Sequence, residues 1–203
     1  MHAIKSPAVD NNHLKLDYAS THQEIVEKCK RGNRRAQFEL YRLYSKAMYN
    51  LCLRMLRQEQ DAEDLLQNSF VDVFAKLHTF RYQSSVGAWI KRIVVNNCIN
   101  HLKRNRLQIE ELEERQAGVH PPEPLEEEDS HDPELSVEAV KMAMRELPDG
   151  YRIVFTLYLL EGYDHREIGE ILDISEATSK SQYSRAKKKL REIIRRHDFI
   201  SRK

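Results

Sequence analysis

From about Gln23 to Arg106, and again from about Glu134 to Asp198, apolar residues recur three and four positions apart. That spacing puts them on one side of a helix and predicts amphipathic helices throughout both stretches. Between them, residues 107–133 hold His120-Pro121-Pro122-Glu123-Pro124 and the acidic run Glu126–Asp129. Such a segment buries little and its charges repel one another, so it reads as a flexible linker. Residues 1–20 are polar and patternless, a disordered tail. The expected fold is all-α, with two small helical domains, 21–106 and 134–203, joined by an acidic flexible linker.

Within the first domain, Asp61–Leu77 forms one amphipathic helix whose core face carries Leu66, Phe70, Val73, Phe74 and Leu77. Asp61, Asp64, Asn68 and Asp72 lie opposite, with Gln67 at the margin. That acid-and-amide face is either solvated or a binding surface. The next helix, about Val86 to Arg106, has Ile90, Ile93, Val94 and Cys98 on its core side. Its other side is expected to show Arg92, Val95, Asn96, Ile99 and Lys103 to solvent. Apolar groups between cations suit a nucleic-acid surface, where cations take phosphates and flatter groups touch sugars or bases. The preceding segment, His78 to Ser85, reads as a loop in which Phe80, Arg81 and Tyr82 could stack on an unpaired base. Trp89 is as well placed for packing as for base contact.

The second domain is expected to hold four helices and to end in a helix-turn-helix. Asp164 and Glu167 have capping-box spacing ahead of Ile168, Ile171 and Leu172. This short helix stops near Asp173-Ile174, and Ser175 can cap a second helix running to about Arg196. Two helices joined by so tight a turn make the DNA-reading motif. At 100° per residue, Tyr183, Ala186, Leu190 and Ile193 fall inward. Lys180, Ser181, Ser184, Lys188 and Arg191 fall outward, with Arg185 at the edge. Short hydroxyls between long cations suit base edges in a major groove, and the cations beyond them suit phosphates. The two preceding helices, Glu134–Leu147 and Tyr151–Leu160, support the reading pair.

The net charge of +1 conceals segregation. Residues 78–106 hold six Lys and Arg and no acid, 107–135 hold eleven acids and one base, and 177–203 hold ten bases and two acids. Two basic patches flanking an acidic bridge predict two contacts with a polyanion. The other chemistry-bearing residues narrow the field. Cys29, Cys52 and Cys98 are isolated and lack metal spacing, which suits small core residues. A glycine-rich phosphate loop, a carboxylate pair against an apolar pocket and a Cys/His dyad are all missing from the sequence, so an enzyme, a metal site and a cofactor are not expected. No run approaches the roughly eighteen apolar residues of a membrane span. The first twenty residues lack an export pattern, and a cytoplasmic protein is expected.

These motifs together resemble the sigma-70 family of bacterial RNA polymerase sigma factors. Asp61-Ala62-Glu63-Asp64-Leu65 with Gln67 and Phe70 is similar to the region 2 signature, and Val86–Asn97 to the helix that follows it. Glu146-Leu147-Pro148 and the helix-turn-helix resemble region 4. A short linker in place of a globular region 3 is similar to the extracytoplasmic-function (ECF, group IV) type. The resemblance implies a subunit that binds core RNA polymerase, recognises −10 and −35 promoter elements and helps melt the DNA. It implies core-polymerase contacts at Asp61, Asp64, Gln67 and Asn68. The melted −10 strand would meet Phe80, Arg81, Tyr82, Arg92, Asn96 and Lys103. The −35 duplex would meet Lys180, Ser181, Ser184, Arg185, Lys188 and Arg191. The acidic linker would thread toward the active-site and RNA-exit path, and an anti-sigma factor is a possible partner. Two departures stand out: Gln67-Asn68 where relatives commonly have Gln-Glu, and Ser179 where they have an aliphatic residue. Two other readings remain at this point. One is a helix-turn-helix regulator acting on duplex DNA without polymerase; the other is an adaptor that binds a protein through helix 61–77.

Overall fold

The computed structural model describes residues 22–110 and 137–201, all of them helical or in short connections. The tail 1–20 and nearly all of the linker 107–133 lie outside the described residues. In the first half, α1 is Gln23–Lys30, α2 Arg34–Leu56, α3 Glu59–Lys76 and α4 Val86–Glu110. In the second, α5 is Val137–Glu146, α6 Asp149–Phe155, α7 His165–Leu172 and α8 Glu176–Ser201. A π-helical turn, Thr156–Leu160, continues α6. The sequence ends α4 near Arg106, whereas the helix runs to Glu110.

The helix ends follow local chemistry. Asn33 caps α2 by accepting from the Ala36 amide at 3.0 Å. Ser85 does the same for α4 through the Ala88 amide at 3.1 Å. Each cap satisfies an amide left over by the first turn of a helix. Glu59 and Asp61 open α3 and Lys76 closes it, charges that complement the helix dipole.

Helices α2, α3 and α4 pack on one another, with α1 against α2. Leu40, Leu51, Met55, Leu65, Phe70 and Ile90 belong to their shared core. Because α4 contacts both α2 and α3, it buries two sides rather than one. Val95 and Ile99, expected on its outer face, are therefore inside. Cys52 and Cys98 meet there as free thiols, with sulfurs 3.9 Å apart. In the second half, α8 packs on α5, α6 and α7. Met144, Leu147, Phe155, Ala186, Leu190 and Ile193 fill that core.

The two halves also pack directly against each other, which periodicity does not disclose. Ile153, Val154, Leu157 and Ile168 join the core of α1–α4. Around this apolar contact, Arg54 pairs with Glu161 at 2.5 Å, and Lys91 donates to the Glu161 carbonyl at 2.8 Å. Arg57 donates to the Leu147 carbonyl. Arg152 of α6 donates to the carbonyls of Arg54 and Met55 at the end of α2, at 3.1 and 2.8 Å.

Candidate nucleic-acid interface

The outer side of α3 shows Asp64, Gln67 and Asn68 to solvent, with Val71 beside them at 67% exposed. Asp61 is half-buried and lies 3.8 Å from His101 of α4. Asp72 does not belong with the free acids. The Asn97 amide donates to it at 2.9 Å and to Ser69 at 3.1 Å, which ties α3 to α4. Asn97 and the exposed Val71 are features that charge patterning alone passes over.

The loop after α3 is built from its aromatics inward. Phe80 is 4% exposed and packs against Trp89 and Tyr82, with ring centres 5.4 and 4.8 Å away. Tyr82 is half-buried, and its hydroxyl donates to Glu27 at 2.5 Å. Lys30 lies over the Tyr82 ring at 4.6 Å and donates to the Phe80 carbonyl at 3.1 Å. The expectation that Phe80 and Tyr82 stand free to stack on a base is thus corrected. They anchor the loop on α1, and Arg81, Gln83 and Ser84 are its exposed side chains. Burial raises the Tyr82 phenol to about 12, helped by the hydrogen bond to Glu27.

With Val95 and Ile99 inside, the solvent side of α4 is polar. Arg92, Asn96, Asn100 and Lys103 are exposed at spacings of four, four and three, which align them in one row. This row begins on the helix that Trp89 and the loop hold in place.

The helix-turn-helix has the predicted construction. Asp164 accepts from the Glu167 amide at 2.7 Å, and Glu167 accepts from the Asp164 amide at 2.9 Å, a complete capping box. Ser175 accepts from the Thr178 amide at 3.0 Å and starts α8. Asp173 turns the chain in a left-handed conformation, φ 61°. A Cβ on Gly169 would lie 2.8 Å from the Ile174 carbonyl oxygen, so the turn closes this tightly only over glycine. Gly169→Ala is expected to destabilise α7–α8 by about 1–3 kcal/mol, through forced backbone shifts. Urea unfolding followed by circular dichroism checks this; an unchanged midpoint would contradict it.

Ser179 is fully buried, and its hydroxyl meets His165 Nδ1 at 3.0 Å. The polar residue in the usual aliphatic position is therefore satisfied. His165 also stacks on Tyr158, with ring centres 4.2 Å apart. Burial, then the charge of Lys180, holds the His165 pKa below its ordinary 6.5. The fold therefore prefers the neutral ring. Its contribution to stability is complete above the unfolded value and is lost as pH falls toward the folded one. The imidazole should titrate below 6.5 by NMR; a midpoint above that value would contradict the buried contact.

On α8, Lys180 and Lys188 are exposed, while Ser181, Ser184, Arg185 and Arg191 are half-buried along the same side. Lys180 pairs with Glu176 one turn earlier at 2.6 Å. Ala186, Leu190 and Ile193 are buried as expected, and Tyr183 is half-buried against Phe155 and Tyr158. Among the described residues no group of three or more His, Cys, Asp or Glu could hold a metal ion. Nor is any described helix long and apolar enough to cross a membrane.

Comparison with known proteins decides what these surfaces belong to. The sigma-70 region 2 family matches residues 40–108, and the sigma-70 region 4 family matches residues 137–190. The chain belongs to the ECF group of sigma-70 family sigma factors. SigM of Bacillus subtilis is 29% identical over 163 residues, covering 78% of this chain and 94% of that protein. SigM of Mycobacterium tuberculosis is 30% identical over 168 residues, covering 80% and 79%. In fold, the chain is similar to the sigma factor RpoE of Bartonella quintana, solved in complex with the anti-sigma factor NepR. That likeness has a TM-score of 0.53 at 21% identity and covers 77% of this chain and 95% of RpoE. As a sigma factor the protein directs RNA polymerase in transcription initiation at promoters. The lone regulator and the adaptor give way, because both sigma regions occur in one chain and in family order.

Proposed function

We propose that this sigma factor binds core RNA polymerase through the outer side of α3, holds a melted −10 strand along α4 and reads a −35 duplex with α8. Residues 21–106 then act as region 2, 107–133 as the acidic linker and 134–203 as region 4. Asp64, Gln67 and Asn68, with Asp61 at the edge, meet the polymerase. Arg92, Asn96 and Lys103 take the single strand, with Arg81 reaching from the loop that Phe80 and Tyr82 brace. Lys180, Ser181, Ser184 and Arg185 meet base edges, and Lys188 and Arg191 meet phosphates.

The observation that carries this reading is the exposed row Arg92, Asn96 and Lys103 beside the braced loop 80–85. A row of cations and amides, with the apolar positions inside, offers phosphate and base contacts without burying the helix. The chain catalyses no reaction itself, and it works where the polymerase does, in the cytoplasm. A partner of the anti-sigma class is part of the proposal, since the Bartonella RpoE was solved with one.

Footprinting on a promoter fragment tests the reading. Protection of two separated segments is expected only when core polymerase and this protein are both present. Full protection by the protein alone would mean that it acts as an independent regulator.

A further inference from the structure

Loop 80–85 holds one residue in a conformation its side chain does not favour. Tyr82 has φ 59°, in the left-handed region that a bulky residue rarely adopts. Such a backbone persists only where surrounding contacts impose it. Here those contacts come from α1. The Tyr82 hydroxyl donates to Glu27 at 2.5 Å. Lys30 donates to Glu27 at 3.0 Å and to the Phe80 carbonyl at 3.1 Å, and its ammonium lies 4.6 Å from the centre of the Tyr82 ring. The hydrogen bonds from Tyr82 and then Lys30 keep the Glu27 carboxyl below the usual carboxylate range, so it stays an ionised acceptor.

This latch decides what the loop shows. With Tyr82 turned onto α1, its neighbours Arg81, Gln83 and Ser84 are exposed. Phe80 packs on Trp89 of α4, and Ser85 caps the same helix. The loop is thus fixed to α1 on one side and to α4 on the other, just ahead of the row that opens with Arg92. A loop already in its binding shape loses little conformational freedom when a strand arrives. Apparent affinity rises with the fraction of protein in that shape. Glu27 is otherwise ill suited to its place. Its side chain is 41% exposed, so core packing does not call for it, and an acid beside a DNA-binding loop repels phosphates.

We infer that Glu27 is a positioning residue for −10 recognition: through Tyr82 it holds loop 80–85 in the shape that receives the melted strand, without touching the DNA. The inference rests on the reading of loop 80–85 and α4 as the −10 strand site. Two effects of opposite sign compete at Glu27. Removing its charge should tighten DNA binding if repulsion of phosphates governs, and weaken it if the carboxylate acts through Tyr82.

The test uses holoenzyme assembled from core polymerase and the full chain. It is titrated with a fluorescent single-stranded oligonucleotide carrying the −10 element, and with a −35 duplex as control. Glu27→Ala and Tyr82→Phe should each weaken strand binding about tenfold, the factor that one hydrogen bond to a charged group supplies. The double variant should be no weaker than either single one, since both remove the same bond. Glu27→Gln should recover most of the loss, because its amide oxygen still accepts from Tyr82. Trypsin cleavage of the free chain after Arg81 should speed up in Glu27→Ala and Tyr82→Phe, relative to cleavage elsewhere. Affinities for the −35 duplex and for core polymerase should match wild type. The inference is overturned if Glu27→Ala binds the strand as tightly as wild type or more so, or if the two single effects add. It is equally overturned if Glu27→Gln gains nothing over Glu27→Ala, or if −35 and core binding fall in step, which would mark a general role in folding. If wild-type holoenzyme fails to bind the strand, the −10 site reading itself fails and the inference with it, a result distinct from the others because no variant is involved.

Discussion

Arg152→Met is expected to lower the first thermal transition of the free protein by roughly 4–24 °C. Arg152 is 2% exposed, yet every nitrogen of its guanidinium donates a hydrogen bond. Besides the Arg54 and Met55 carbonyls, it donates to the Leu147 carbonyl at 3.2 Å and to Asp149 at 2.7 Å. The last carbonyls of α2 have no partner within their own helix, so Arg152 serves as the cap that closes it. Burial lowers the arginine pKa, and the Asp149 carboxylate opposes that shift. Methionine would fill the space but leave the Arg54 and Met55 carbonyls without this donor, while Leu147 and Asp149 keep Arg57. A buried acceptor left without its donor costs about 1–3 kcal/mol, so the two carbonyls together lose about 2–6 kcal/mol. In a chain of this size each 1 kcal/mol moves the melting point by about 2–4 °C. Arg152→Lys should recover little, because an ammonium cannot reach a fork of acceptors on two helices. Differential scanning calorimetry checks this, and a shift under about 2 °C would show that the joint carries no such load.

The second large effect is on promoter opening. Arg92→Ala combined with Asn96→Ala is expected to cut the yield of open complex about ten- to a hundredfold. A hydrogen bond to a charged group contributes about 1.5–3 kcal/mol, and each 1.4 kcal/mol is a factor of ten. Both side chains are exposed, so the fold and the binding of core polymerase should be unaffected. Permanganate reactivity of thymines in the −10 region reads the melted state directly. Reactivity equal to wild type would place the strand contacts elsewhere.

Much of the architecture was legible in the sequence because it rests on local rules. The Asp164–Glu167 capping box and the Ser175 cap fix the helix-turn-helix within a dozen residues, and both form as read. The inward set Ala186, Leu190 and Ile193 follows from helical period alone. Val95 and Ile99 were misplaced for a definite reason. A helical wheel gives the direction of each side chain but not the number of neighbours, and α4 has α2 on one side and α3 on another. Phe80 and Tyr82 were misread because a loop's composition does not say which of its aromatics the domain claims. The role of Arg152 across the two halves gives no signal in the sequence, since two of its acceptors sit almost a hundred residues away at the end of α2. The same holds for Glu161, whose partners Arg54 and Lys91 come from two different helices.

Run-off transcription with purified core polymerase and a genomic promoter library is the most direct test of the central claim. Adding the protein should produce discrete start sites preceded by shared −10 and −35 sequences, none of which core enzyme alone yields. Transcripts that are the same with and without the protein would contradict its assignment as a promoter-recognising sigma factor.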